Sequence, residues 1–270
     1  MKTNIVSNKT PILTLENLTY SYHTLSGETK ALENISFQIY PGEFVAVVGP
    51  SGCGKSTLLN IIAGQITDYT GTLKFHGTPM NVLQNQAVDL RIGYMLQHDH
   101  LFAWRTIYKN VCLGLEIKNV MTQENQNYVL SLLKKYDLYD FKDKKPSQLS
   151  GGMRQRAALI RTLALNPTLL LLDEPFSALD YQTRLQVSGD IGNIIRENKK
   201  TAILVTHNLS EAISLADKVI VLTKRPATIK RIAEISLTVT DTSSLGYRSA
   251  PEFNKYFNEI WEDLCDESQT

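Results

Sequence analysis

Short unbroken apolar runs recur along the chain, and a polar or glycine-rich segment follows each of them. They cover residues 44–48, 169–172 and 201–205. Runs of this length without alternation are typical of strands buried on both faces of a parallel sheet. Stretches with helical spacing lie between and after them, so the pattern predicts an α/β fold. Helices are expected over residues 153–165, 182–198 and 210–217.

Other periodicities predict the remaining parts. Residues 12–40 alternate with period two, which indicates antiparallel strands attached to the first core strand. Apolar residues between Gln97 and Ser150 recur at helical spacing instead. Residues 238–270 are expected to form a C-terminal extension with an amphipathic helix. Its apolar stripe is interpreted as a packing face and comprises Phe253, Tyr256, Phe257, Ile260, Trp261 and Leu264.

The segment after the first apolar run carries the clearest chemical motif. It reads Gly49, Pro50, Ser51, Gly52, Cys53, Gly54, Lys55, Ser56 and Thr57. This is G-x-x-x-x-G-K-[ST] between a strand and a helix, the context that marks a phosphate-binding loop. Backbone N–H groups and the helix N-terminus favour a phosphate there. Lys55 is expected to reach the β- and γ-phosphates and Ser56 to ligate Mg²⁺, so the chain is predicted to bind a nucleoside triphosphate.

Cys53 lies inside this loop, next to a helix start and close to Lys55. Such surroundings favour a thiolate, so we expect maleimide to inactivate the protein and the bound nucleoside triphosphate to protect it. The alternative is that Cys53 is only a small residue that fits a tight loop.

Further residues supply what a nucleotide hydrolase needs besides a phosphate cradle. Asp173 ends a core strand and is expected to hold Mg²⁺, directly or through a water molecule. Glu174 is expected to act as general base. Gln97 ends another strand, and its side-chain amide is expected to approach Mg²⁺ or the attacking water. A second glycine-rich helix start forms a further candidate anion site from Ser150, Gly151 and Gly152.

Over residues 12–237 the chain resembles the ATP-binding subunit of an ABC transporter. Residues 49–57 match Walker A, residues 169–174 Walker B, and residues 149–155 the signature motif, with Met153 where many members have glutamine. The resemblance implies a P-loop NTPase (RecA-like) core with an antiparallel β subdomain and a helical subdomain inserted at about residues 98–152. It also implies an adenine-stacking Tyr22, the Q-loop glutamine Gln97, the D-loop residue Asp180 and the switch histidine His207.

Members of this family work as head-to-tail dimers with ATP between one P-loop and the partner's signature motif. The resemblance therefore assigns Ser150, Gly151 and Gly152 to the nucleotide of a neighbouring ATP-binding subunit. It implies ATP and Mg²⁺ as ligands, and catalytic roles for Glu174, His207 and Gln97.

Residues 100–106 resemble the L-L-P-W-R-T segment of importers for nitrate, sulfonates and taurine, with Ala103 in place of proline. Importers of thiamine- and riboflavin-precursor pyrimidines share these features, so the resemblance does not identify the transported solute. The likeness implies separate permease subunits, which contact the region of Phe102 and Trp104, and a solute-binding protein that acts indirectly. We expect Phe102 and Trp104 to be partly exposed and Leu101 to pack inside.

Composition narrows the alternatives. The 270 residues carry a net charge of +1, which argues against a nucleic-acid surface. Three cysteines without disulfide or metal spacing favour a reducing compartment. The chain lacks a signal-peptide pattern and an apolar stretch of membrane-spanning length, so at a membrane it is expected to work as a peripheral subunit. The resemblance implies that it lies on the cytoplasmic side of the cell membrane. The competing hypotheses are an exporter ATPase and a soluble ABC ATPase that acts on ribosomes or DNA.

Overall fold

Residues 10–24, 27–85, 91–239 and 244–269 are described by a computed structural model of the chain. The strands in these ranges are β1 (Leu13–Thr24), β2 (Gly27–Ile39), β3 (Phe44–Val48), β4 (Thr70–Phe75), β5 (Thr78–Pro79), β6 (Ile92–Met95), β7 (Leu169–Asp173), β8 (Thr201–Val205), β9 (Lys218–Leu222) and β10 (Ile229–Glu234). The helices are α1 (Lys55–Ile62), α2 (Met80–Asn85), α3 (Ile107–Val111), α4 (Leu113–Ile117), α5 (Gln123–Lys135), α6 (Gly151–Leu163), α7 (Tyr181–Glu197), α8 (Leu209–Leu215), α9 (Ser244–Arg248) and α10 (Phe253–Gln269).

A six-stranded sheet forms the core, in the order β10-β9-β3-β8-β7-β6. Its strands are parallel except β10, which pairs antiparallel with β9. The three apolar runs form β3, β7 and β8 as predicted. Alternate residues of β3 face opposite layers: Phe44 packs with the helices around α6, and Val45 packs with α1 and the second sheet.

The second sheet has the order β2-β1-β4-β5 and is antiparallel. The expectation that its strands attach to the first core strand is wrong, because β1 pairs with β2 on one side and with β4 on the other. Their alternating apolar side chains instead pack face to face against the core sheet and α1. Backbone hydrogen bonds at Ala227 join the layers: Ala227 N–H donates to Ala31 O, and Glu33 N–H donates to Ala227 O, both at 2.9 Å.

Helices α3, α4 and α5 fill the stretch between Gln97 and Ser150, where helical spacing predicted them. Thr106 caps α3 and Thr122 caps α5, each accepting a backbone N–H in its first turn. Such caps satisfy N–H groups that have no partner within the helix. Val111 and Val129 anchor this layer in the same cluster as α6.

The C-terminal stripe is only partly a packing face. Phe253 and Ile260 are buried, but Trp261 is 54% exposed. The helix α10 rests on α8 and β9, and its Asp263 forms an ion pair with Arg231 of β10. Residues 240–243 and 270 of the extension lie outside the described residues. Among the described helices, none has the length and apolar character to cross a membrane.

Candidate functional site

The glycine-rich loop joins the carboxyl end of β3 to the N-terminus of α1. Gly54 has φ +128°, and a Cβ there would lie 2.9 Å from Leu32 Cδ2. Only glycine adopts this conformation without strain. The loop forms one wall of a cavity of about 210 Å³. The described residues that line it are Ser51, Gly52, Gly54, Lys55, Ser56, Thr57, Glu174 and Arg225.

Lys55 holds the loop in shape from inside. Its side chain is 6% exposed, and its Nζ donates to Gly49 O at 2.8 Å and to Pro50 O at 2.9 Å. The N-cap residue Gly54 has no side chain to satisfy the first N–H groups of α1. A helix start of this kind, next to an ammonium group, is suited to bind phosphate oxygens.

Ser56 and Asp173 form the candidate Mg²⁺ site. Ser56 Oγ donates to Asp173 Oδ1 at 3.2 Å, and Tyr94 OH donates to Asp173 Oδ2 at 3.4 Å. Burial raises the pKa of the Asp173 carboxyl, and the charge of Glu174 adds to the rise. A divalent cation would favour the ionised carboxylate.

The donor chemistry of this pair fits Mg²⁺. A hydroxyl and one carboxylate are hard oxygen ligands, and Mg²⁺ usually binds through one or two carboxylates, phosphate oxygens and water. Within the described residues no cluster of three or more His, Cys, Asp or Glu residues could hold a metal ion.

Glu174 and His207 meet at the carboxyl ends of neighbouring strands β7 and β8. His207 Nδ1 lies 3.0 Å from Glu174 Oε2. The backbone of Glu174 has φ +45°, and its N–H donates to Val205 O at 2.9 Å. This turn directs the carboxylate into the cavity beside the P-loop. The pair combines a proton acceptor with a group that orients it.

The Gln97 side chain contacts the segment that follows β7. Its Nε2 donates to Ser177 Oγ at 3.1 Å, and Ser177 Oγ donates in turn to Glu174 O at 2.9 Å. Its expected approach to Mg²⁺ or to the attacking water stays a prediction. Gln97 is linked to the general-base candidate through the backbone.

The second glycine-rich helix start is not part of the lining of the cavity beside the P-loop in its own chain. Ser150 caps α6 by accepting Met153 N–H at 3.3 Å. A Cβ on Gly152 would lie 2.7 Å from Val187 Cγ2, so this glycine allows α6 to approach α7 closely. Asp180 caps α7 by accepting Thr183 N–H at 3.1 Å. Neither these residues nor Gly151 is among the described residues that line the cavity.

Tyr22 lies beside the loop, as a nucleotide-stacking residue must. Its hydroxyl is 2.9 Å from Thr57 Oγ1, and its ring packs edge-to-face on Tyr20 at 4.9 Å. The ring is exposed, which leaves a face open to solvent.

Sequence reasoning missed Arg225. Its guanidinium donates to Gly52 O at 2.6 Å and lines the cavity. It lies far along the chain from the loop, and only the β9–β10 connection brings it there. A basic dipeptide after a core strand was the one available indication, and many unrelated loops contain such a dipeptide.

The residues 102–106, here called the aromatic turn, present two stacked rings to solvent. Trp104 is 72% exposed and Phe102 is 37% exposed, with ring centroids 4.7 Å apart. Leu101 packs against the helical cluster. The expected difference in exposure between Leu101 and the two aromatic residues is therefore confirmed.

A fully buried asparagine shapes the aromatic turn. Asn110 Oδ1 accepts Phe102 N–H at 2.7 Å. Its Nδ2 lies 3.0 to 3.2 Å from the carbonyl oxygens of Phe102, Arg105 and Thr106. One side chain thus contacts one backbone N–H and three backbone carbonyl groups of the turn.

The expectation of a reactive Cys53 is wrong. The side chain is 1% exposed, and burial raises the pKa of its thiol despite the nearby positive charges of Lys55 and Arg225. Desolvation of the thiolate outweighs those charges. In the folded protein we expect maleimide to label Cys53 more slowly than the partly exposed Cys265. Mass spectrometry of timed samples measures both rates, with the unfolded chain as control; faster native labelling of Cys53 contradicts the expectation.

Comparisons with known proteins agree on one family. The family model described as ABC transporter matches residues 32–177. An uncharacterized ABC transporter ATP-binding protein of Bacillus subtilis is 43% identical and covers 93% of this chain and 95% of that protein. A nitrate import ATP-binding protein of Synechocystis is 38% identical over 87% and 88% of the two chains.

An aliphatic sulfonates import ATP-binding protein of Bacillus thuringiensis is 37% identical, over 79% of this chain and 82% of that protein. A solved dimeric ATP-binding cassette in a post-hydrolysis state, with ADP and Pi, superposes with a TM-score of 0.70. It is 33% identical in sequence, and the match covers 83% of this chain and 99% of that chain.

Proposed function

The chain belongs to the ABC transporter family as an ATP-binding subunit, and from this premise we propose that it drives import of a small solute through separate permease subunits. The α/β P-loop NTPase fold and the resemblance deduced from the motifs are both confirmed. The chain is an ATPase with ATP as substrate and Mg²⁺ as cofactor. The observation that carries the catalytic part is the Glu174–His207 pair beside the P-loop cavity.

Several residues in and around the cavity have roles that their positions support. Lys55 and the N-terminus of α1 bind the β- and γ-phosphates, while Ser56 and Asp173 hold Mg²⁺. The cation, when bound, neutralises charge on the phosphate oxygens. Glu174 accepts the proton of the attacking water, and His207 keeps its carboxylate in position. Gln97 links conformational changes at this centre to the aromatic turn, which begins a few residues later in the chain.

A head-to-tail dimer completes the site. Ser150, Gly151 and Gly152 form an anion-binding helix start that their own cavity does not use. In a second copy turned by two-fold symmetry, this helix start and Asp180 would face the nucleotide of the first copy. Tyr22 would stack on the adenine ring. Relatives of this family are found as dimeric cassettes, which supports the arrangement.

The import direction rests on the relatives and on the aromatic turn. Nitrate and aliphatic sulfonate import ATP-binding proteins are among the relatives. We propose a small anionic or heterocyclic solute of the nitrate, sulfonate or taurine kind, or a thiamine or riboflavin precursor. A solute-binding protein would deliver it to the permease, and the chain would lie peripherally on the cytoplasmic side of the membrane.

Reconstituted vesicles test this proposal. The chain is purified with the membrane proteins that accompany it and placed with the ATPase outside, with the solute-binding protein enclosed in the vesicles and nitrate or alkanesulfonate at equal concentration on both sides. Mg·ATP added outside is expected to move solute outward, toward the ATPase side, as an importer does. Movement in the opposite direction would establish an exporter. Purification with ribosomes or DNA in place of membrane proteins would contradict the transport role.

Replacing Trp104 with alanine tests the proposed permease contact. Because Trp104 is largely exposed, Trp104→Ala should preserve the melting temperature and the ATPase of the isolated subunit. Loss of an aromatic anchor is expected to weaken permease assembly at least about tenfold. Co-purification of membrane subunits measures the effect. Trp261→Ala removes the other exposed tryptophan and serves as control. A loss of melting temperature with normal assembly would show that Trp104 is a packing residue.

A further inference from the structure

Two arginines of α6 fasten the segment that follows Gln97. Arg154 Nε donates to Asp99 Oδ2 at 3.0 Å, and Arg154 Nη1 donates to Leu149 O at 2.9 Å. Leu149 directly precedes Ser150. A single guanidinium therefore joins the segment after Gln97 to the start of the signature helix.

Arg161 fixes the backbone of the same segment. Its Nη1 donates to His100 O and its Nη2 to Asp99 O, both at 2.7 Å. Asp99 Oδ1 meanwhile accepts Leu101 N–H at 3.0 Å. The Asp99 carboxylate is therefore held on one side by its own loop and on the other by Arg154.

We propose that Asp99 and Arg154 are a positioning pair that couples the aromatic turn to the signature motif. The inference rests on the proposed function. Through Leu149 O, Arg154 sets the direction in which the chain enters α6 and hence the position of Ser150. Through Asp99, it ties that position to the loop between Gln97 and the aromatic turn. Docking at Phe102 and Trp104 thereby affects how Ser150 meets the nucleotide of the partner subunit.

The ion pair contributes little to folding by itself. The side chains of Arg154 and Asp99 are 37% and 26% exposed. Partly exposed pairs typically contribute about 0–1 kcal/mol to stability. The pair matters because of its geometry, since a forked guanidinium fixes the positions of two acceptors relative to each other. Removing it should disturb the alignment of α6 without unfolding the chain.

A double-mutant cycle tests the inference. Asp99→Asn, Arg154→Gln and the double variant are made in a Glu174→Gln parent that retains ATP. Each single variant should raise the Mg·ATP concentration for half-maximal dimerisation by about fivefold or more, and the double variant should match the worse single variant. ATP affinity of the monomer and the melting temperature should stay unchanged. Light scattering, fluorescent-nucleotide titration and thermal melting measure these quantities.

Glu197→Gln is the matched control, because it breaks the exposed Lys135–Glu197 pair that links α5 to α7 at 2.8 Å. The control should dimerise like the parent. An equal shift in the control, additive effects, or a fall in melting temperature that parallels the shift would overturn the positioning role. If the variants match a dimerising parent, only this inference fails. If the parent itself does not dimerise with Mg·ATP, the proposed head-to-tail dimer fails and the inference fails with it.

Discussion

Glu174→Gln is expected to lower the turnover of ATP by at least about 100-fold, the scale of a lost general base. Glutamine keeps the shape of the side chain and its contact distance to His207, but its amide cannot accept the proton of the attacking water. ATP affinity should therefore be preserved. Phosphate release measures turnover, and titration with a fluorescent nucleotide measures affinity.

The same variant should form a dimer that persists with Mg·ATP, because the nucleotide is no longer consumed. Size-exclusion chromatography with light scattering detects it. Glu197→Gln, an acid-to-amide change on the exposed end of α7, should hydrolyse ATP normally. Turnover of Glu174→Gln near the wild-type rate would contradict the general-base assignment.

Gly54→Ala is expected to lower ATP affinity at least about tenfold through backbone strain of roughly 1–3 kcal/mol. The new Cβ would lie 2.9 Å from Leu32 Cδ2 and 3.1 Å from Ala31 O at a backbone φ of +128°. The loop must move to relieve these two close contacts, and this movement displaces the N-terminus of α1 from the phosphate position. Isothermal titration calorimetry with ATP measures the loss.

Gly42→Ala is a control that separates the effect of backbone strain on stability from the effect of a displaced phosphate-binding loop on ATP affinity. Gly42 also has positive φ, at +84°, but no atom lies within 4 Å of its added Cβ and it lies outside the nucleotide cavity. This control should lose stability and keep ATP affinity. Normal ATP binding by Gly54→Ala would mean that the phosphate cradle does not depend on this conformation.

Local pattern was sufficient for the strands and the phosphate loop. The apolar runs of β3, β7 and β8 need burial on both faces, and one sheet layer satisfies all of them. The loop motif was readable because its residues are contiguous. The partition of the strands into two sheets could not be predicted from the sequence. The alternation in β1 and β2 shows that one face of each strand is buried, but it does not show what covers that face.

Contacts between distant residues explain what the sequence did not reveal. The proximity of Cys53 to Lys55 was visible in the chain, but the burial that raises its pKa comes from the whole fold. Arg225, Asn110 and Arg154 act on backbone carbonyls. Every residue offers such a carbonyl, so sequence alone does not identify the acceptor.

The hydrogen bonds from Asn110 have a consequence for the strength of the proposed docking. A loop that must order itself when it binds loses conformational entropy at that moment and gains less affinity for the same buried area. The aromatic turn is already fixed by a buried amide, so this entropy is lost when the chain folds. In the proposed contact with a permease, Phe102 and Trp104 would therefore act as a preformed pair of rings, and little of their contact free energy would be spent on ordering the turn.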